Sequence, residues 1–206
     1  MKRAKKVLLL ALCAVLLVAG SVAGTLAYLT SQAIVENTFT VGHVAITLDE
    51  KDVDKDTNAE DNVGEGENVR DKANAYHLVP GTTYTKDPIV HVQANSEDSW
   101  VFIKVENGLA GYEVEGEQSI AHQIVAVNEW TALNGEDGVY YKSYTKTSTV
   151  VDLPVFATFT IASTNEQNTN WNEIGNKTIK VTAYAIQKEN NTGIFSVEDA
   201  WEILNP

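Results

Sequence analysis

From residue 35 onward a period-two alternation of apolar side chains dominates, and no stretch before the C-terminal end sustains a helical stripe. Period two is the repeat of a strand with one buried face, so the alternation restricts the chain to sheet architectures. In residues 44–48 the apolar set Val44, Ile46 and Leu48 shares one face. Further strands are expected at 37–41, 88–93, 100–105, 123–127, 139–144, 150–161 and 178–186. The turn pairs Pro80-Gly81, Asn107-Gly108, Asn134-Gly135 and Asp137-Gly138 separate several of them. Many short strands punctuated in this way predict an all-β fold, an antiparallel β-sandwich of jelly-roll type. A short helix is expected at the end. Ser196 is placed to cap it at the N–H of Asp199, Glu198 and Asp199 suit its positive pole, and Val197, Ala200, Trp201 and Leu204 fall at helical spacing. Trp201 would pack this helix onto the sheets.

Ahead of the alternation stands a different kind of segment. Lys2, Arg3, Lys5 and Lys6 precede residues 7–19, an unbroken apolar run. Its length falls short of the roughly 20 residues of a membrane-crossing helix and matches the core of a secretory signal. Gly20, Ser21, Ala23 and Gly24 break the run, and two small-x-small exits follow, Ser21-Val22-Ala23 and the favoured Thr25-Leu26-Ala27. Residues 1–27 are therefore read as a signal peptide cleaved between Ala27 and Tyr28, and 28–206 as a single secreted domain. Only an uncleaved signal would hold the chain to a membrane. The segment carries four of the 15 basic residues and no acidic one, so the mature chain keeps 11 against 28 and a net charge of −17. That charge repels phosphate backbones and excludes nucleic-acid binding. Cys13 and Met1 are the sole residues of their kinds and leave with the signal. No disulfide framework or cysteine-based zinc site can be built, and the mature chain suits long exposure to oxidants.

Residues 49–73 interrupt the pattern with closely spaced Asp and Glu, and are read as an acidic surface loop. Within it Asp52, Asp54, Asp56 and Asn58 stand at positions one, three, five and seven of a hard-cation loop, a candidate calcium site. Thr57 replaces the glycine and Val63 the glutamate of an EF-hand, and a solvated acidic loop is the competing reading. No other cofactor is indicated. Gly64-Glu65-Gly66-Glu67 would repel a phosphate, and no G-x-S-x-G nucleophile turn is present. Trp100, Trp130 and Trp171, with Tyr140, Tyr141 and Tyr144, are expected chiefly as core and cross-strand partners, with an adhesive surface as the alternative.

Several segments in order resemble one family. Gly24-Thr25-Leu26-Ala27-Tyr28-Leu29-Thr30 is followed by Asn37-Thr38-Phe39-Thr40-Val41-Gly42 and Leu48-Asp49-Glu50. Then come Leu78-Val79-Pro80-Gly81, Lys86-Asp87-Pro88-Ile89-Val90, Val181-Thr182-Ala183-Tyr184-Ala185-Ile186-Gln187 and Ala200-Trp201. Together they are similar to the TasA and camelysin family of Gram-positive bacteria. The resemblance implies cleavage by a SipW-type signal peptidase and a secreted jelly-roll protein of the biofilm matrix or cell surface. It further implies, as in some members, self-association into fibres by strand exchange. Residues 28–41, free of proline and with Phe39 and Val41 on one face, are suited to pair with the sheet edge of a neighbour, and pairing within their own sheet is the equal alternative. A camelysin-type secreted metalloendopeptidase and a monomeric surface adhesin are the alternatives. Zinc chemistry of the first kind needs two histidines one helical turn apart, and His43, His77, His91 and His122 are scattered, with no H-E-x-x-H. The chain is accordingly expected not to be an enzyme.

Overall fold

The computed structural model describes Lys6 and residues 43–54, 70–163, 171–190 and 193–204. The chain divides into units 1–40 and 41–206, and every described strand belongs to the second. The signal, the Ala27/Tyr28 junction, the strand expected at 37–41, and Asp56 and Asn58 lie outside the described residues.

In chain order the strands are β1 (Ile46–Lys51), β2 (Arg70–Asp71), β3 (Thr83–Thr85), β4 (Ile89–Val92), β5 (Ser99–Asn107) and β6 (Thr131–Ala132). They continue with β7 (Val139–Tyr144), β8 (Val151–Pro154), β9 (Thr158–Thr160), β10 (Ile179–Gln187), β11 (Glu189–Asn190) and β12 (Gly193–Ile194). Two helices are named here, α1 (Ile120–His122) and α2 (Val197–Leu204). One four-stranded sheet has the order β2-β1-β4-β8 and another β10-β5-β7-β6, while β3-β9 and β11-β12 form two-stranded sheets. All these pairings are antiparallel, so the all-β antiparallel expectation holds. Among the described residues no helix is long and apolar enough to cross a membrane.

Alternation explains which faces meet. Val90 and Val92 of β4 share one core with Val101, Ile103 and Val105 of β5, closed by Trp130, Phe156 and Phe159. The other face of β5 carries Trp100 and Phe102, which join Leu133, Val139, Ala200 and Trp201 in a second cluster. Because both its faces are buried, β5 reads as a near-continuous apolar run. Helix α2 supplies the cover for the second cluster: Ser196 Oγ accepts from the N–H of Asp199 at 3.1 Å, and the Trp201 ring lies 5.3 Å from Phe102 and 5.5 Å from Tyr184. Gly138 lets the turn before β7 close on β5. Its φ is +69°, and an added Cβ would stand 2.6 Å from the Val105 carbonyl oxygen.

Three expectations need correction. Residues 123–127 are helical, a widened turn continuing α1, which buries Ile120, Gln123 and Ile124 while Val125 and Val127 stay exposed. The strand expected over 150–161 is two strands in different sheets, divided at the buried pair Val155 and Phe156. The acidic loop expected at 49–73 is shorter, because β1 runs on to Lys51 and β2 pairs back with it, Glu50 opposite Asp71 and Lys51 opposite Arg70. Glu50 and Arg70 are held in these strands by ion pairs, with Lys86 and Asp49.

Candidate functional site: a charged cleft beside the first strand

The sequence Asp49-Glu50 of β1 sends two carboxylates to opposite faces of its sheet, and both are buried. Asp49 pairs with Arg70 of β2, and its Oδ1 lies 3.1 Å from Nε2 of His91. His91 stands opposite Asp152 in the β4–β8 register, and its Nδ1 is 2.6 Å from Asp152 Oδ1. Burial disfavours the imidazolium, but its hydrogen bonds to Asp152 and Asp49, and then their charges, outweigh this and raise the His91 pKa above its ordinary 6.5. Only the imidazolium can donate to both carboxylates at once. Arg70 also donates through Nη2 to the carbonyls of Asp87 at 3.0 Å and Asp49 at 3.3 Å, tying β2 to the start of β4.

On the other face Glu50 forms a buried ion pair with Lys86. Asn74 Nδ2 donates to Glu50 Oε1 at 3.0 Å and to the Lys51 carbonyl at 2.9 Å, while Asn74 Oδ1 accepts from the Val53 N–H at 2.8 Å. The Lys86 ammonium lies 6.0 Å from the centre of the Tyr76 ring. Burial, followed by the negative charges of Glu50, Asp87, Asp54 and Asp71, pushes the Tyr76 phenol far above its usual range. It stays a donor, giving a 3.0 Å hydrogen bond to the Thr85 carbonyl.

Where the acidic loop leaves and rejoins the sheet, carboxylate oxygens of Asp52, Asp54 and Asp71 lie within 4.8 Å of one another. The structure thus brings together two of the four residues read as a calcium loop, and adds Asp71 from β2. Asp71 is 1% exposed. Its Oδ1 accepts from the N–H groups of Lys72 and Ala73 at 2.6 and 3.2 Å, while Oδ2 is buried with no hydrogen-bond partner among the described residues. Glu50, Asp71, Asn74, Tyr76 and Lys86 line a cavity of about 900 Å³, whose apolar wall includes Phe159 and Val181. Asp71 was missed because nothing in Arg70-Asp71 marks a strand; only the partner register brings it to the cluster.

The remaining candidates are placed elsewhere. Asp52, Asp54 and Asp71 are the one metal-capable group of three among the described residues, and none of the histidines belongs to it. His43 and His77 are exposed, and His122 ends α1. Trp130 is buried with Nε1 donating to the Pro154 carbonyl at 2.8 Å, and Tyr144 is buried beside it in the core. Tyr140 and Tyr141 pack half-buried on the two faces of β7. Trp100 donates to the Phe195 carbonyl at 3.1 Å beneath the Lys188 ammonium. These rings are engaged within the fold, and the side chain of Trp171 lies outside the described residues. No family model, curated protein or solved structure matches the chain.

Proposed function

We propose that this chain is an exported structural subunit of an extracellular or biofilm matrix, a jelly-roll β-sandwich that polymerises by strand exchange after a SipW-type peptidase cuts between Ala27 and Tyr28. The observation that carries the reading is the outer edge of β10. This nine-residue strand pairs with β5 alone among the described residues. Its inward side chains Val181, Ala183 and Ala185 are only half-buried, although their partners Val105, Ile103 and Val101 on β5 are 8%, 0% and 0% exposed. An edge of this kind offers a row of unpaired backbone groups and an apolar margin that one more strand would cover.

Residues 28–41 have the chemistry of that strand: no proline, with Phe39 and Val41 on one face. Each new backbone hydrogen bond contributes about 0.5–1.5 kcal/mol net, so burial of the apolar side chains must supply the rest at about 25 cal/mol per Å². A retained signal would tether the arm to the membrane and prevent addition, which makes proteolysis the trigger. Electron microscopy of the chain beginning at Tyr28, beside one beginning at Gly42, tests this. Fibres are expected from the first and monomers from the second; monomers from both at every concentration would overturn it.

A further inference from the structure

We infer that Asp52, Asp54 and Asp71 form a calcium site that clamps the two ends of the acidic loop to the sheet. The inference is independent of fibre assembly. Among the described residues four carboxylates are buried, at Asp49, Glu50, Asp71 and Glu113. Asp49 is met by Arg70 and His91, and Glu50 by Lys86. Glu113 accepts from Asn107 Nδ2 at 2.9 Å and from the Ile120 N–H at 3.3 Å. Asp71 differs from all three, because among the described residues its Oδ2 has no donor and no cation is paired with it. A buried carboxylate oxygen left without a partner is costly, and native structures resolve such a group with a donor, a water or an ion.

The surroundings select the ion. Its neighbours are the carboxylates of Asp52 and Asp54, which accept and cannot donate once ionised. Asp54 Oδ2 already accepts from the Ala75 N–H, which holds that side chain against the segment that follows β2. Oxygens bound to one calcium ion at about 2.3–2.6 Å can lie at most about 5 Å apart, and the three donors fall inside that limit. An all-carboxylate set suits a hard cation and not zinc or copper, and water completes the six to eight ligands of calcium without strain. Three carboxylates on a loop place the affinity in the range of extracellular modules, about 10⁻⁴–10⁻³ M. Asp52 and Asp54 follow β1 and Asp71 lies in β2, so one ion would close the excursion between the strands.

The test uses the full chain as purified from the medium of an expressing culture, stripped with a chelator and melted with calcium chloride or magnesium chloride. Calcium at about ten times its Kd should raise the midpoint by roughly 3–6 °C, with a much smaller rise in magnesium. Asp71→Asn keeps the oxygen that accepts from Lys72 and Ala73 and removes the unpaired charge. It should melt no lower than wild type in chelator and lose the calcium response. Asp52→Asn, at a half-buried position, should lose the response as well and carries the test if Asp71→Asn does not fold. No calcium response in wild type, an equal response to magnesium, or a response retained in both variants would overturn the site.

Discussion

His91 is the residue whose protonation state the fold controls most directly. It bridges Asp49 of β1 and Asp152 of β8 through opposite ring nitrogens, an arrangement that binds the proton more tightly than the unfolded chain does. A folded pKa raised above 6.5 makes the contribution to stability full below about pH 6.5, and it is lost as pH rises through the folded value. The urea midpoint should therefore fall as pH rises above about 6.5 in wild type, with a shallower fall in His91→Gln. Equal slopes in the two proteins would show that the bridge is not what titrates. Asp152 is the more exposed carboxylate of the pair, so added salt should weaken its share more than that of Asp49.

At the scale of elements, the strands with clear period two were legible: β1, β4, β5, β7 and β10 all fall where alternation and turn pairs put them. The helix α2 was equally legible from its cap and spacing. What misled was residues 123–127, because Gln-Ile-Val-Ala-Val satisfies both templates over so short a run. Tertiary bonding decides it. Gln123 Oε1 accepts from the N–H groups of Ala157 and Thr158 at 3.0 and 3.2 Å, and Nε2 donates to the Thr158 carbonyl at 2.9 Å. One side chain thus pairs with the backbone just where β8 passes into β9. The split of 150–161 was hidden for a related reason: Val151, Leu153, Phe159 and Ile161 keep the same phase across the break, so alternation continues while the strand changes sheet. Gln123→Ala should leave these backbone groups unmatched and lower stability by about 1–3 kcal/mol in urea unfolding. Gln123→Glu should cost at least as much, because a second carboxylate oxygen would stand against the Gln118 and Thr158 carbonyls to which Nε2 donates, in a buried position. An alanine variant as stable as wild type would mean that water substitutes fully for the amide.

Across the whole molecule the two long sheets end differently, and that asymmetry bears on assembly. The sheet of β1 finishes at β8 on one side and at the two-residue β2 on the other, next to Arg70 and the acidic cluster. Short, charged edges of this kind resist addition of a further strand. Among the described residues the sheet of β5 finishes at β10, which is long, mostly uncharged and half-buried at every position but Lys180. Alternation alone could locate β10 but not its edge position, because which strand lies outermost depends on pairings distant in sequence. If residues 28–41 of one copy complete β10 of another, then in the chain beginning at Gly42 the amides of Ile179–Gln187 should fall into two classes. Those bonded to β5 exchange slowly with deuterium, and those facing outward exchange fast. A synthetic peptide of residues 28–41 should slow the outward set selectively, leaving β7 and β8 unchanged. A shuffled peptide of the same composition should have no effect, since the apolar residues would no longer share one face. Slowing spread over every strand, or none at β10, would place the arm elsewhere and remove the physical basis for polymerisation through this edge.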